Sequence, residues 1–228
     1  MKIFEVGGTI RDEFLLIPNT DADYAVEAES YQEMVDYIKN AGGTIWQERP
    51  EFFSVRANLP NVGNADFTLC RKDGFYSDNR HPDNVAVGTI YDDLARRDFT
   101  MNAIARNIET GEIIDPFNGR EDISYNLIMS VGNVEDRMNE DPLRMLRAIR
   151  FSVTKGMMLD RSIKDFLRNS GNEFLLASVT NERIYEELKK MFMHSTMVSW
   201  TKMNAYSNIF IYVFDTRGIR LMPTMKVM

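Results

Sequence analysis

The sequence predicts an α/β fold over residues 1–130, followed by an all-helical region over residues 131–228. In the first part, stretches with helical spacing alternate with stretches whose apolar residues recur at every second position. Beyond Asp141 the apolar spacing is helical throughout, with repeats of three and four residues. A chain of 228 residues is long enough for one large core or two small ones. We therefore expect a small mixed sheet with helices in the first domain and a helical second domain.

The first elements are predicted from turn and capping residues. Gly7-Gly8 leads into a helix expected from Thr9 to Leu16, and a strand is expected from Asp21 to Glu27. Ser30, with a glutamate three residues later, forms a capping box that should open the next helix. Gly42-Gly43 should end that helix. The chain thus begins with a helix, a strand and a second helix.

Two further strand patterns follow, from Glu51 to Leu59 and from Ala65 to Arg71. In the second strand, apolar side chains alternate with polar ones, so Asp66 is expected on the polar face. That face can meet the strand that carries Asp21 and Asp23. Asp66 can thus join the other two carboxylates on one face of a sheet; the alternative is that it is an ordinary exposed strand residue.

Composition excludes several classes of protein. No apolar run approaches the roughly 20 residues that span a bilayer, and the first residues lack the pattern of a signal peptide. We expect a cytoplasmic protein with no membrane partner. One cysteine and two histidines leave no disulfide framework and little room for a cysteine or histidine metal centre. Any metal must then be held by oxygen ligands.

Net charge is −7, which is unusual for a protein that binds RNA, because phosphate contacts depend on Lys and Arg. The charge is unevenly distributed. Residues 1–41 contain three basic and nine acidic side chains, whereas residues 141–183 contain eight basic and five acidic ones. The helical region is therefore the expected RNA face, although such a charge excess is often only a solvated surface.

Asp21 and Asp23 are the strongest chemical signal. Alternate residues of a strand share a face, so both carboxylates can hold the same divalent ions. Gly7-Gly8 at a helix start is typical of phosphate binding, because backbone N–H groups point at the ligand and glycine permits close approach. Either fragment alone recurs by chance, but together they indicate metal-dependent nucleotidyl transfer.

Three more strings extend this pattern in a fixed order: Arg96-Arg97-Asp98-Phe99-Thr100-Met101-Asn102-Ala103, Asp115-Pro116-Phe117-Asn118-Gly119, and Glu140-Asp141-Pro142-Leu143-Arg144-Met145-Leu146-Arg147-Ala148-Ile149-Arg150-Phe151. With the first motif, they resemble the head and neck of the class II tRNA nucleotidyltransferases, the CCA-adding enzymes, and of the related bacterial poly(A) polymerases. The resemblance covers about residues 3–190. It implies a nucleotidyltransferase head over 1–130 and a helical neck over 131–228.

In that reaction an RNA 3′-hydroxyl attacks the α-phosphate of a nucleoside triphosphate and pyrophosphate leaves. Two Mg²⁺ ions can stabilise the charge on both oxygens. Asp21 and Asp23 fit the metal ligands, and Asp66 is the best candidate for a third catalytic carboxylate. Gly8 and Arg11 match phosphate-contacting positions of the family. Arg11 can alternatively pair with Asp12 or another carboxylate.

The resemblance also assigns the ribose and the base. Arg97, Asp98 and Asn102 match the family's ribose-recognising run, although Asp98 and Asn102 can equally cross-link neighbouring segments. Asp141 and Arg144, three apart on one helix face, match its protein template. An Asp and an Arg complement the donor and acceptor edges that CTP and ATP share and that UTP and GTP lack.

Arg147 and Arg150 continue the face of Asp141 and Arg144 and match nucleotide contacts of the family. Arginines at this spacing are otherwise most often ion-pair partners on a surface. The string Ser178-Val179-Thr180-Asn181-Glu182-Arg183-Ile184 resembles the last shared motif. We expect Thr180 or Asn181 to cap a helix there, and Glu182 and Arg183 to be structural.

Residues 71–82, which include Arg71, Tyr76 and Arg80, resemble the flexible loop of the enzymes that add the terminal A. Loops of this length without apolar periodicity are often functional, so the loop favours full CCA addition. The poly(A) polymerases carry an arginine-rich stretch after the first motif, whereas residues 44–51 here are not basic. That difference favours CCA addition over poly(A) synthesis.

The chain departs from the family at Leu16, where a glycine is usual, and at Thr20, where a basic residue is usual. Both changes are expected to weaken phosphate or substrate binding without touching the metal ligands. The family also continues into body and tail domains that grip tRNA, and residues 196–228 suffice only for one packed helix. We therefore expect a short form that lacks most of the body and tail.

The resulting hypothesis is an enzyme that adds or repairs the 3′-terminal CCA of tRNA from CTP and ATP, with Mg²⁺ and no nucleic-acid template. Its partners are the tRNA 3′ end and the two nucleotides; the oligomeric state stays open. A partial enzyme that adds only C or only A is the main alternative. Less favoured alternatives are a poly(A) polymerase and a non-catalytic RNA-binding relative.

Overall fold

The computed structural model describes residues 1–18, 22–60, 62–73 and 85–221. The strands are β1 (Lys2–Val6), β2 (Asp23–Glu27), β3 (Thr44–Arg49), β4 (Ser54–Leu59), β5 (Gly63–Leu69), β6 (Arg71–Asp73), β7 (Val85–Val87), β8 (Ala105–Asn107), β9 (Ile113–Ile114), β10 (Leu127–Ile128) and β11 (Met158–Leu159). The α-helices are α1 (Gly8–Phe14), α2 (Tyr31–Asn40), α3 (Ile90–Ala95), α4 (Gly119–Ser124), α5 (Val134–Glu140), α6 (Leu143–Thr154), α7 (Arg161–Arg168), α8 (Asn181–His194), α9 (Thr196–Ala205) and α10 (Ser207–Ile211).

Three short 3₁₀ segments (Pro50–Phe52, Thr100–Asn102 and Asn172–Ser178) and a π-helical turn (Tyr212–Thr216) complete the secondary structure of the described residues. The chain divides into two compact units, with a boundary between Tyr125 and Asn126. We call the first the sheet unit and the second the helical unit. The predicted α/β fold class, with a mixed sheet followed by helices, is confirmed.

The sheet unit is built on a mixed sheet in the order β3-β4-β5-β2-β1-β8-β9. Strands β2 and β5 are parallel, and the other neighbours are antiparallel. Helix α2 covers one face, where Met34, Val35 and Ile38 pack against side chains of β4 and β5. The opposite face of β2 to β5 carries polar side chains, because successive residues of a strand point to opposite faces.

The start of β4 corrects the predicted strand from Glu51 to Leu59. Pro50 opens a 3₁₀ turn, and Phe53 follows it in the left-handed region with φ 56°. The strand begins only at Ser54, after this turn. By contrast, the predicted alternation in β5 is confirmed, with Phe67 buried and Asp66 half-buried.

The capping residues behave as predicted at the second helix. The Ser30 hydroxyl accepts a hydrogen bond from the Glu33 N–H at the start of α2. The Glu33 carboxylate accepts from the Glu29 N–H, one residue before its expected partner. After α2, the Gly43 N–H donates to the Ile38 carbonyl, and Gly42 adopts φ 77°. Gly42 thus closes the helix in the left-handed conformation that glycine tolerates best.

Leu16 lies in an unfavourable backbone conformation at the end of α1. The Leu16 N–H donates to Glu13 and the Ile17 N–H donates to Asp12, which is the hydrogen-bond pattern of a Schellman motif. This motif places Leu16 in the left-handed region, with φ 56°. The side chain is 91% exposed. The usual glycine of the family suits this position because it has no Cβ to clash.

The helical unit packs α6 against α8 and α9. Helix α6 contributes most of its length to the core, including Met145, Ala148 and Ile149, all fully buried. A parallel pair, β10 with β11, also belongs to this unit, and strands of two residues leave no periodic signal in a sequence. In the part of the chain that the structure describes, no helix is both long and apolar enough to cross a membrane.

Candidate functional site

A line of polar residues crosses four neighbouring strands of the sheet unit. Asp23 of β2 is the Cα partner of Asp66 in β5, Asp66 is that of Arg56 in β4, and Arg56 is that of Gln47 in β3. Paired residues of adjacent strands point to the same face and lie about 4.8 Å apart per strand. We call these four residues the polar row. The row brings Asp23 and Asp66 together, as the alternation in β5 suggested.

Arg56 engages Asp66 with two hydrogen bonds. Its Nε and Nη2 atoms donate to the two carboxylate oxygens over 2.7 and 3.1 Å. The hydrogen bond to Asp66 and the charges of Asp66 and Asp23 raise the pKa of the Arg56 guanidinium. Both side chains remain accessible, at 48% and 38% exposure. The pair is therefore open to exchange with an incoming ligand.

Asp21 lies outside the described residues. Among those that are described, no three His, Cys, Asp or Glu side chains form a group that could hold a metal ion. Asp23 and Asp66 nevertheless fit a divalent ion chemically, because carboxylate oxygens are ligands that Mg²⁺ prefers. Both lie on the open face of the sheet.

Gly7 and Gly8 lie where β1 passes into α1. Gly7 has φ 66°, a conformation that glycine adopts at little cost. A Cβ atom at Gly7 would lie 2.8 Å from Nη1 of Arg97. The Arg97 guanidinium therefore covers the glycine turn, and Gly7 leaves room for it. The structure places the helix start and Arg97 side by side.

Arg11 is buried in a polar network rather than exposed at this turn. Its Nε and Nη2 atoms each donate to Asp12 over 2.8 Å, and Nη1 donates to the Asn102 side chain over 2.7 Å. Asn102 in turn donates to Asp98 over 2.9 Å. All four residues are at most 7% exposed. The pairing with Asp12, the alternative reading of Arg11, is thus present in the structure.

Asp93 is an important residue of this region that sequence reasoning missed. Its buried carboxylate accepts hydrogen bonds from both Arg96 and Arg97. Burial alone would raise the pKa of Asp93, but the two guanidinium groups outweigh it and hold the pKa below its ordinary value. The signal was available, because Asp93 precedes the arginines by three and four residues on a helix. Asp93 holds Arg97 in place beside Gly7.

The string from Asp115 to Gly119 supports the 3₁₀ turn of Thr100–Asn102. The Asp115 carboxylate accepts from the N–H groups of Gly119 and Arg120, which fixes the start of α4. A Cβ at Gly119 would lie 2.2 Å from the Thr100 carbonyl oxygen, so only glycine permits this approach. The Thr100 hydroxyl also donates to Asp122 of α4 over 2.6 Å. Helix α4 therefore anchors the 3₁₀ turn that carries Asn102.

Asp141 lies in extended backbone between α5 and α6, two residues before α6 begins. The prediction that Asp141 and Arg144 share one helix face is therefore wrong, because Asp141 is the C-cap residue of α5 and only Arg144 is part of α6. One of its oxygens accepts from the Leu143 N–H over 3.2 Å, and the other accepts from Nη2 of Arg183 over 2.8 Å. Asp141 and Arg183 are both partly exposed. Arg183, expected to be structural, thus orients the carboxylate from α8. Thr180 occupies the N-cap position of α8 without a side-chain hydrogen bond there.

Arg144 is held by its own segment of chain. Its Nη1 atom donates to the Arg137 carbonyl and to the Glu140 carboxylate, over 2.8 Å in each case. Glu140 also pairs with Arg137 at 3.0 Å. These contacts fix the guanidinium three residues after Asp141. Asp141 and Arg144 are therefore each oriented by a separate partner.

Arg147 and Arg150 share one buried partner, Glu187 of α8. Arg150 hydrogen-bonds to this carboxylate, and Nη1 of Arg147 lies 3.7 Å from it. The Arg150 guanidinium also lies 3.9 Å from the centre of the Phe151 ring, within the range of a cation–π contact. Sequence reasoning did not identify Glu187, because it lies 37 residues from Arg150 and no local pattern connects them.

Two of the three predicted loop residues, Tyr76 and Arg80, lie outside the described residues. Arg71 begins β6, and its Cα partner is Val87 of β7. The predicted loop role is therefore not addressed by the described structure.

Comparison with known proteins agrees with these motifs. Residues 3–129 match the family model of the poly A polymerase head domain. The chain is 37% identical over 219 residues to a CCA-adding enzyme of Anoxybacillus flavithermus, covering 93% of this chain and 51% of the relative. It is 38% identical over 197 residues to one of Geobacillus thermodenitrificans, covering 83% and 45%. The chain thus spans about half the length of the curated relatives it matches.

Solved structures give the same result. The CCA-adding enzyme of Bacillus stearothermophilus in complex with CTP matches with a TM-score of 0.77 and 30% identity, over 91% of this chain and 48% of that one. The Thermotoga maritima CCA-adding enzyme complexed with tRNA matches with a TM-score of 0.73 and 25% identity, over 97% and 50%. The chain therefore belongs to the family that carries the poly A polymerase head domain, among relatives named CCA-adding enzymes.

Proposed function

We propose that this chain is a template-independent tRNA nucleotidyltransferase that adds or repairs the 3′-terminal CCA from CTP and ATP. The observation that carries the proposal is the pairing of Asp23 with Asp66 on an open sheet face. Relatives in solved complexes hold CTP, tRNA, or a primer tRNA with an incoming ATP analogue. The ligands of these related structures support CTP, ATP and tRNA as the substrates proposed for this chain.

The reaction joins the 3′-oxygen of the RNA to the α-phosphorus of the nucleotide. The bond from that phosphorus to the oxygen bridging the β-phosphate breaks, and pyrophosphate leaves with the electron pair. We assign Asp66 as the acceptor of the 3′-hydroxyl proton, since it is the carboxylate next to Asp23 on the open face. Arg56 hydrogen-bonds to both oxygens of Asp66. One of these hydrogen bonds must break before Asp66 can accept the proton.

Asp21 and Asp23 are the proposed ligands of two Mg²⁺ ions, with Asp66 beside them. Bound there, Mg²⁺ would stabilise negative charge on the attacking and leaving oxygens. Carboxylate donors and the cellular availability of the ion favour Mg²⁺ over softer metals.

The nucleotide's phosphates and ribose are assigned to the glycine turn and its neighbours. Backbone N–H groups at Gly8, where α1 begins, can donate to phosphate, and Arg97 beside Gly7 adds positive charge. Arg11 acts through the network it shares with Asp12 and Asn102. We assign ribose recognition to Asp98 and Asn102, which this network fixes in place.

Base selection is assigned to Asp141 and Arg144, where the chain enters α6. Asp141 can accept from the exocyclic amino group of cytosine or adenine, and Arg144 can donate to the adjacent ring nitrogen. Arg183 and Glu140 hold these two side chains, so their orientation is set before the base arrives. A preset polar pair rejects uracil and guanine strongly, because the wrong base leaves buried groups unsatisfied. Arg147 and Arg150 are assigned to the nucleotide's phosphates, in competition with Glu187.

A partial enzyme that adds only C or only A is the second candidate. We place either enzyme in the cytoplasm, where tRNA ends are maintained.

The test uses labelled tRNAs that end before CCA, after C, or after CC, each with one nucleoside triphosphate and Mg²⁺. With CTP, the first two tRNAs should be extended to CC and then stop; with ATP, the tRNA that ends in CC should gain a single A and then stop. Addition of one nucleotide type only would establish the partial enzyme. A long A tail or no extension at all would overturn the proposal.

A further inference from the structure

The polar face of the sheet carries a second row that the proposed reaction has not used. Arg49 of β3 is the Cα partner of Ser54 in β4, and Ser54 is that of Thr68 in β5. This row runs parallel to the polar row, two residues away on each of the three strands. Together the two rows line a pocket of about 150 Å³, which is the liquid volume of about five water molecules. The lining residues are Asp23, Gln47, Arg49, Ser54, Arg56, Asp66 and Thr68.

The pocket is suited to an anion. Two guanidinium groups and two hydroxyl groups supply donors, and the catalytic carboxylates form only one side. Within the described residues, no carboxylate lies within salt-bridge distance of Arg49, whereas Arg56 pairs with Asp66. Guanidinium groups beside hydroxyls are the usual partners of phosphate oxygens.

Its position separates this pocket from the turn assigned to the triphosphate. Asp23 lies on β2, with β1 on one side and β5 on the other. The glycine turn follows β1, whereas Arg56 and Arg49 lie beyond β5 on β4 and β3. In-line transfer needs the nucleophile and the leaving pyrophosphate on opposite sides of the α-phosphate. The triphosphate is assigned to the glycine turn, on the β1 side of Asp23. The RNA 3′ end is therefore expected on the opposite side of Asp23, towards β4 and β3.

We propose that Arg49 and Arg56, with Ser54 and Thr68, bind the last phosphodiester of the RNA and so place its 3′-hydroxyl at Asp66. The inference rests on the proposed function and adds a primer site to it. A phosphate bound to Arg56 competes with Asp66 for the guanidinium. Arrival of the RNA therefore releases the carboxylate that accepts the hydroxyl proton.

The test measures binding rather than turnover. The Kd for a tRNA ending in CC is measured by fluorescence anisotropy, and the Kd for CTP by calorimetry, for Arg49→Ala and Arg56→Gln. We expect the RNA Kd to rise about tenfold in each variant and the salt slope to fall by about 0.7 to 0.9. The CTP Kd should stay unchanged. Lys39→Ala is the matched control, because it removes one positive charge from α2 on the opposite face.

A chemically altered primer makes the test specific to one phosphate. A tRNA with an uncharged methylphosphonate at its last linkage should bind wild type at least as weakly as the ordinary tRNA binds Arg49→Ala, because it loses the charge that both arginines contact. That primer should then be insensitive to Arg49→Ala. Equal sensitivity of both primers would overturn the proposal, as would a loss confined to CTP, which would mean that the arginines hold the triphosphate.

The two proposals fail in different ways. If wild type binds tRNA through these arginines but adds no nucleotide, the proposed function fails and the primer site stands. If wild type adds nucleotides and both variants bind tRNA normally, the primer site is wrong and the proposed function stands. Circular dichroism spectra and denaturation midpoints matching wild type confirm that each variant is folded.

Discussion

Replacing Asp93 by asparagine tests the packing that holds Arg97 beside the glycine turn. The carboxylate is 1% exposed and accepts hydrogen bonds from two guanidinium groups. Asparagine keeps the shape but removes the negative charge that both guanidinium groups contact. Breaking a buried ion pair costs about 3 to 5 kcal/mol. Because Arg96 and Arg97 are still 23% and 21% exposed, we expect the lower end, about 3 kcal/mol.

The free energy of unfolding is measured by urea denaturation at pH 7, with circular dichroism as the signal. A loss of about 3 kcal/mol corresponds to a fall in Tm of about 10 °C for a unit of this size. Asp36→Asn is the control, because Asp36 is exposed on α2 and bonds only to a neighbouring glutamine in the described structure. A loss below about 1 kcal/mol, or one equal to that of the control, would refute the reasoning.

The same variant predicts a pH dependence. The pKa of Asp93 is lower in the folded protein than in the unfolded chain, so its contribution is complete above the unfolded value of about 3.9. The contribution is lost as the pH falls through the folded value. The stability difference between wild type and Asp93→Asn should therefore be constant from pH 8 to pH 5 and shrink below about pH 4. A difference that shrinks already between pH 7 and pH 5 would contradict this assignment.

Three other changes give separate predictions. Asp66→Asn should lower the rate of nucleotide addition by about 10³-fold, because it removes the proposed proton acceptor, with little change in the Kd for CTP. An unchanged rate in single-turnover assays would exclude Asp66 as the proton acceptor. Asp141→Ala should reduce the preference for CTP over UTP, measured as a ratio of kcat/KM values, by about 10- to 100-fold. The control is Arg161→Ala on α7, where the side chain is exposed; this variant should keep the preference. An equal loss of preference in both variants would contradict the template role of Asp141. Leu16→Gly should stabilise the protein by about 1 kcal/mol, because it relieves the left-handed conformation; destabilisation in urea would show that this backbone carries no strain.

The sequence predicted the polar face of β5 because strand periodicity is local. Successive side chains of a strand point to opposite faces, so buried Phe67 and half-buried Asp66 could be assigned to their faces from their positions alone. The pairing of Asp66 with Asp23, however, depends on β5 lying next to β2 in parallel. That register is set by the packing of α2 and the order of the strands, which no short window of sequence contains.

Other features were hidden for physical reasons. Strand β3 lies at the sheet edge, where its side chains are mostly exposed and apolar alternation is absent. Glu187 and Arg183 act on α6 from α8, across 37 and 42 residues of sequence. Only the packing of the two helices brings them to Arg150 and Asp141. The motifs therefore gave the candidate site residues, whereas the partners that orient them became visible only in the structure.

Leu16 shows how a departure from a motif can be explained by geometry. The sequence alone suggested a weakened phosphate site at this position. In the structure Leu16 follows the C-cap residue of α1 and lies in the left-handed region. We therefore expect Leu16 to lower the stability of the protein through backbone strain, which a glycine at this position would avoid.

Extension of labelled tRNAs that lack CCA, end in C, or end in CC is the most direct test of the central claim. Each nucleoside triphosphate is supplied separately with Mg²⁺, and the products are resolved at single-nucleotide length. We predict addition of C to the first two tRNAs and of A to the third, with no further growth. Retained tRNA binding without any extension would contradict the claim.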